Sequence, residues 1–209
     1  MLYKFIMKRL SLIFLFLIAC APLHIVSPPR FVIRPVEKEP QVWQAKFLGK
    51  FRITFYWIVR EEDYRGRRTV PLYTVDGKLL SYFPYSFVRD FKIESCARLR
   101  DGRLISWLKK QKRVKVVDQP LGKGFSLMPL KSVAVDPQVI PLGSKVFIPK
   151  ACGIKTEEKT LNGVFYTHDI GEKIVGKSLD IFLGEKENIK YFLSGGIGSG
   201  QKVEVYLLE

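Results

Sequence analysis

The chain reads as a mainly β protein built around a small closed barrel. Short runs rich in β-branched and aromatic residues recur along it, glycine-containing turn signals separate them, and only one stretch has the makings of a helix. No internal repeat is evident, and strands do not alternate with long helical segments. That pattern favours a closed all-strand architecture over α/β layering.

The folded part is expected to begin near Lys46, where KFLGKFRITFYWIVR has the composition of one extended strand. Residues 61–69, EEDYRGRRT, suit a charged loop or hairpin tip. VPLYTV and KLLSYF flank Asp76-Gly77, a two-residue hairpin signal, and Asp101-Gly102 divides FVRDFKIESCARL from RLISWL in the same strand-turn-strand manner. KKQKRVKVVD is the densest basic cluster; a solvated strand or loop face is the plainer reading, an electrostatic contact with an anionic surface the other. Beyond Ser132, SVAV and KVFIP read as strands around an Asp136-Pro137 turn, FYTH and SLDIFLG as two more, and QKVEVYLL as the last. Residues 185–193, EKENIKYFL, are the helix candidate. The glycine-rich SGGIGSG precedes a strand instead of opening a helix, so it lacks the geometry that cradles phosphate and reads as a flexible turn.

With 209 residues, 47% hydrophobic and 13% aromatic, the chain suits one domain with appendages and a real core. Its formal charge of +15 suits an anionic polymer of any kind: nucleic acid, lipid headgroups, or a cell-wall glycan bearing peptide carboxylates. The N-terminus chooses among them. Lys4, Lys8 and Arg9 precede LSLIFLFLIA, too short to span a bilayer but right for a secretory signal, and Leu17-Ile18-Ala19-Cys20 resembles the bacterial lipobox. We expect a signal peptide over 1–19, a lipid on Cys20, and a tether over 20–45 stiffened by Pro22, Pro28, Pro29, Pro35 and Pro40. Within that tether Trp43 is the residue best suited to pack on the domain, which spans 46–209. Removing the three leader charges leaves +12 on a chain lipid-anchored to a membrane outside the cytoplasm, the outer membrane in a Gram-negative cell, where nucleic acid is not an expected partner. Cys96 and Cys152 could pair in such an oxidising compartment, and no C-x-x-C motif supports redox catalysis or structural zinc.

Two acids stand out in FYTHDIGEKIVGKSLDIFLG: Asp169 at the end of one strand and Asp180 inside the next. Strand alternation puts Leu179, Ile181 and Leu183 on one face and Asp180 with Phe182 on the other. A carboxyl among apolar neighbours has a raised pKa when half-buried. By the same alternation His168 points away from Asp169, toward a surface or core role.

AVDPxxIPLGS, then HDIG, then an aspartate eleven residues after that of HDIG together resemble the three-aspartate (3D) domain of bacterial cell-wall enzymes, including the membrane-bound lytic transglycosylase A family. The resemblance is close over the last part of the chain and looser in ITFYW and ESCARLRDGRLI. It implies a six-stranded double-psi β-barrel, here with extra hairpins and a short helix. It also implies cleavage of the β-1,4 bond between N-acetylmuramic acid and N-acetylglucosamine in peptidoglycan glycan strands, with a 1,6-anhydro ring as product. By family position Asp180 is the single acid/base and Asp169 its supporting carboxylate. Asp136 is either a substrate contact or the acid of a turn that shapes the groove floor. Thr54 and Tyr56 lie in the strand that borders the groove, and Lys173 and Lys177 are placed to meet peptide-stem carboxylates. No cofactor is implied, and the acids lack histidine or cysteine partners at metal-ligand spacing. The turn departs from the family pattern, with Glu172 where glycine is common and Val175 where lysine is common. Residues 60–125 are expected to supply only a small substitute for the family's second domain. A non-catalytic wall-binding lipoprotein is the alternative reading.

Overall fold

Alternation along the first strand sets the barrel wall. The computed structural model describes residues 44–209; the expected signal peptide, Cys20 and its lipid, Trp43 and the tether up to residue 43 lie outside the described residues. In β1 (Ala45–Tyr56), Phe51, Ile53 and Phe55 point inward and are buried, while Thr54 and Tyr56 stand on the opposite face. The strand does not run on through IVR as the sequence predicts. At Trp57-Ile58 the backbone zips onto the far end of the barrel, Leu183 N–H donating to Tyr56 C=O at 2.8 Å and Ile58 N–H to Gly184 C=O at 2.7 Å, and the chain then leaves the barrel.

The next seven elements lie outside the barrel: β2 (Val59–Arg60), β3 (Arg68–Tyr73), β4 (Leu79–Pro84), helix α1 (Tyr85–Glu94), β5 (Cys96–Arg98), β6 (Leu104–Leu108) and β7 (Arg113–Val117). A four-stranded sheet in the order β2-β5-β6-β7 and the β3–β4 hairpin enclose their own core of Val59, Leu72, Phe83, Phe87, Phe91, Ile105 and Val114. The hairpins at Asp76-Gly77 and Asp101-Gly102 form as expected, with Gly77 and Gly102 at φ 80° and 87°.

One sequence expectation fails here. FVRDFKIE is not a strand: Phe87, Val88 and Phe91 share the buried face of α1, Pro84 precedes its first turn, and left-handed Ser95 closes it with its N–H on Phe91 C=O. EEDYRGRRT is the expected charged loop as far as β3, with one of its acids drawn inside. Glu61, in a 3-10 turn, is 4% exposed and accepts from the Arg68 guanidinium at 2.6 Å and from Arg100 N–H at 3.1 Å.

The remaining strands are β8 (Ser132–Val135), β9 (Lys145–Lys155), β10 (Thr160–Ile170), β11 (Ser178–Phe182) and, after helix α2 (Ile189–Ser194), β12 (Lys202–Leu208). With β1 they close a six-stranded barrel in the order β1-β11-β8-β10-β9-β12. Two pairs, β1–β11 and β8–β10, are parallel and the other four antiparallel, so strands far apart in sequence interlock. Phe51, Val133, Ile148, Phe165, Leu179, Ile181 and Phe192 fill the interior, each large side chain contributing about 1.5–3 kcal/mol of burial. The predicted helix is α2. SGGIGSG is pinned in place, with Ile197 fully buried and Gly200 N–H on Ile53 C=O at 2.7 Å.

Tyr56, Ile58, Cys96, Leu127, Ala134, Ile174 and Phe182 form a third cluster on the outer face of β1 and β11. The disulfide expectation is corrected here, since both cysteines are free. Cys96 is buried in that cluster and Cys152 is exposed on β9, so they belong to different surfaces.

Candidate active site

Parallel pairing of β1 with β11 sets Thr54 beside Asp180 and Tyr56 beside Phe182, all four on the face turned away from the barrel core. Tyr56 and Phe182 pack ring to ring at 5.1 Å and form an apolar floor next to the acid. Asp180 is half-buried, and its Oδ1 is fully buried with no hydrogen-bond partner. Burial raises its pKa to about 6, Asp169 adding to the rise while the Thr54 hydroxyl and Arg52 oppose it. The Thr54 hydroxyl also donates to Leu179 C=O at 3.4 Å.

Asp169 comes from β10, where a register shift between Thr167 and Asp169 against β8 re-aims the strand end. Its Oδ2 accepts from the Tyr56 hydroxyl at 3.3 Å and its Oδ1 from Ile170 N–H at 2.9 Å. Burial raises its pKa, and these bonds and the Lys123 charge work against that rise. Tyr56 is buried, and burial together with the charges of Asp169 and Asp180 holds its phenol well above the ordinary value. It is therefore a neutral donor at any working pH. The two acids are thus unequal: Asp169 is hydrogen-bonded at both oxygens, Asp180 has an oxygen with nothing on it.

Asp136 behaves as the acid of a turn. Its Oδ1 accepts from Gln138 N–H at 3.0 Å and its Oδ2 from Gly176 N–H at 2.8 Å, which lowers its pKa and pins the β10–β11 connection to the end of β8. Lys173 is exposed in that connection. Lys177 lies across β1 at Gly49, where a Cβ would sit 2.6 Å from its Nζ, and is three residues before Asp180, about 10 Å along the strand. Glu172, the acid in place of glycine, forms an ion pair with Lys109 from the tip of the β6–β7 hairpin. That contact takes up one member of the basic cluster. His168 is held by Ser132, whose Oγ lies 3.0 Å from Nδ1, and is stacked between Phe125 at 4.8 Å and Tyr166 at 5.4 Å.

Two neighbours escaped sequence reasoning. Lys123 reaches Asp169 because Gly122 lets its loop press on β10; a Cβ there would meet His168 C=O at 2.3 Å. Glu94, the last residue of α1, accepts from Trp57 N–H at 3.3 Å and senses the charge of Asp180. Neither contact has a local signal in the chain. Among the described residues no three acids, histidines or cysteines converge as metal ligands.

Comparison with known proteins agrees with this architecture. Residues 131–209 match the family model of the 3D domain. Among solved structures, Escherichia coli MltA with bound chitohexaose is similar at a TM-score of 0.56, with 14% identity over 77% of this chain and 72% of that one. A membrane-bound lytic murein transglycosylase from Agrobacterium tumefaciens is similar at 0.55, with 12% identity over 76% and 73%. No curated protein sequence matches the chain. Residues 131–209 are therefore a 3D domain, carried by a chain whose fold is similar to that of the MltA lytic transglycosylases.

Proposed function

We propose that this chain is a peptidoglycan lytic transglycosylase with Asp180 as its single acid/base. The observation that carries the reading is Asp180 Oδ1, a buried carboxyl oxygen without a partner on a side chain that keeps its proton to about pH 6. The desolvated oxygen disfavours the ionised form, which keeps the half-buried carboxyl protonated for donation to a glycosidic oxygen. The fold's likeness to a protein that holds chitohexaose, and the 3D domain itself, support a glycan as the substrate.

The chemistry needs few residues. Asp180 gives its proton to the glycosidic oxygen as the bond to the muramic acid C1 breaks. Positive charge grows at C1, and Asp169, held by Tyr56 and Ile170, supplies negative potential beside it. The muramic acid C6 hydroxyl then bonds to C1 while the Asp180 carboxylate takes its proton. The 1,6-anhydro ring closes with no water consumed and the acid is restored. Because the nucleophile belongs to the substrate, no second carboxylate has to hold a water. Incubating the chain and its Asp180→Asn variant with purified peptidoglycan, and identifying soluble muropeptides by mass spectrometry, tests this. Anhydro-ended products are expected from the wild type alone. Reducing-end products would make it a hydrolase, and wall binding by both proteins without products would make it a binding module.

The location is inferred from the leader and tether, so the proposed enzyme works from a lipid anchor on Cys20. Cys20→Ala is expected to move the protein from the membrane to the soluble fraction of the envelope. Continued tight membrane association of that variant would argue for an uncleaved anchor instead.

A further inference from the structure

Alternation along β1 carries the acid face past Asp180 toward the start of the strand. Lys50, Arg52, Thr54 and Tyr56 share the outer face, opposite the buried Phe51, Ile53 and Phe55. Strand register fixes what lies beside each. Thr54 pairs with Asp180, and Asp180 and Asp169 both pair with Ala134 of β8, so the two acids stand in one row across the sheet. In the adjoining row Arg52 pairs with Ser178 of β11 on one side and with Lys202 of β12 on the other. From Arg52 to Asp180 is one strand across and two residues along, about 8 Å between Cα atoms, a span that a long side chain covers.

The Arg52–Lys202 pair is costly to the fold. Two positive charges directly opposite each other on an antiparallel ladder repel, whereas the next outward-facing pair, Lys50 with Glu204, is complementary. Arg52 and Lys202 are both exposed, and among the described residues neither forms an ion pair. By contrast Arg60, Arg68, Arg89, Arg98 and Arg103 each hold a carboxylate at 3.0 Å or less. Lys177 brings a further positive charge to this end of the face: its C=O accepts Arg52 N–H at 2.9 Å and its side chain lies across Gly49. Arg52 bears on Asp180, which is protonated below about pH 6, so in the loaded state the guanidinium faces a neutral group.

We propose that Arg52 and Lys202 form a carboxylate-binding subsite at the end of the acid face, which takes an anionic group on the muramic acid residue beside the bond to be cut. This rests on Asp180 working on peptidoglycan. The guanidinium offers a flat fork of donors that matches a carboxylate with two parallel bonds, and the Lys202 ammonium adds a point charge from across the ladder. A chitin-type strand has no charge to offer. Muramic acid always has one, on its lactyl ether when bare or on the peptide stem that the lactyl group carries. Seating that anion relieves the repulsion between Arg52 and Lys202, so a pair that weakens the free fold strengthens the complex. The anion also offsets the Arg52 charge beside Asp180, and the acid keeps its proton better in the complex than without it.

The test measures binding to purified peptidoglycan by the full chain in an Asp180→Asn background, which leaves the wall uncut. Adding Arg52→Gln is expected to weaken binding about tenfold at low salt, and Lys202→Gln about threefold, with a flatter salt dependence in both. Neutral chitohexaose should bind all three proteins alike. Lys202→Glu, which gives Arg52 a partner across the ladder, should raise the melting temperature by about 1–3 °C while weakening wall binding as much as Arg52→Gln does, a combination that a folding defect cannot produce. Strands stripped of their stems by an amidase identify the anion: the same loss on them assigns the lactyl carboxylate, and a loss confined to intact peptidoglycan assigns the stem. Undiminished wall binding by both glutamine variants, or an equal loss on chitohexaose, overturns the subsite. Charge-dependent wall binding without anhydro products from the wild type would keep the subsite and sink the transglycosylase reading instead.

Discussion

Asp180→Asn is expected to cut the release of anhydro-muropeptides about a thousand-fold or more. General acid–base catalysis contributes about 10²–10⁴-fold, and in the proposed mechanism one carboxyl serves as acid and then as base, so its loss falls at the upper end. Asparagine keeps the shape and cannot give up a proton. Wild-type activity should fall on the alkaline side near pH 6, where Asp180 ionises. A flat profile up to pH 9 would contradict acid catalysis by this group.

The same substitution should make the protein more stable at alkaline pH. Asp180 has an ordinary value of 3.8 and about 6 when folded, so the folded state binds the proton more tightly than the unfolded one. That contribution is fully present below about pH 4 and disappears as pH rises through about 6, leaving an unpaired half-buried carboxylate above it. Asp180→Asn removes the burden, with an expected gain of about 1–3 kcal/mol at pH 8 that shrinks toward pH 4. Activity lost while urea stability rises cannot be blamed on unfolding. Equal stability of the two proteins at both pH values would mean that Asp180 is solvated.

Glu61→Ala is expected to destabilise the chain by about 2–4 kcal/mol, read by urea unfolding, with a melting temperature lower by about 5–10 °C. Its carboxylate binds the Arg68 guanidinium, which is 41% exposed on its side chain, and the Arg100 backbone N–H. Removal leaves that N–H without an acceptor and Arg68 with the Phe83 ring at 5.1 Å in place of an ion pair; the exposure of Arg68 keeps the loss below that of a fully buried pair. Glu61→Gln, which retains an acceptor, should lose less than half as much. A loss under about 0.5 kcal/mol for the alanine variant would mean that water replaces the carboxylate at little cost.

Much of the barrel was legible in the chain because its strands alternate cleanly. SVAV, KVFIP, SLDIF and KVEVYLL all lie where the sequence put them, and Asp180 falls on the face its neighbours dictated. The misreadings have physical causes. In FVRDFKIE the apolar residues are aromatic or β-branched, which reads as strand, while the helix is set by a three-residue buried stripe and by Ser95 in an uncommon conformation that no glycine announced. The β1 strand breaks at Trp57 because the end of β11 captures the backbone there, a contact no local pattern encodes. Glu94 was invisible for the same reason: what makes it notable is Trp57, 37 residues earlier. Asp136 was legible as one of two alternatives, and its bonds to Gln138 and Gly176 give the turn.

The parallel pairing of β1 with β11 also bears on when the proposed acid becomes competent. Thr54 and Leu179, whose contact flanks the acid, are 125 residues apart, and β1 must in addition receive β12, the last strand. Closure over such separations is slow and comes late. Before it, Asp180 is an ordinary carboxylate, and only the closed barrel raises its pKa to about 6. The raised proton affinity on which the proposed cleavage depends therefore arrives only with the last strand.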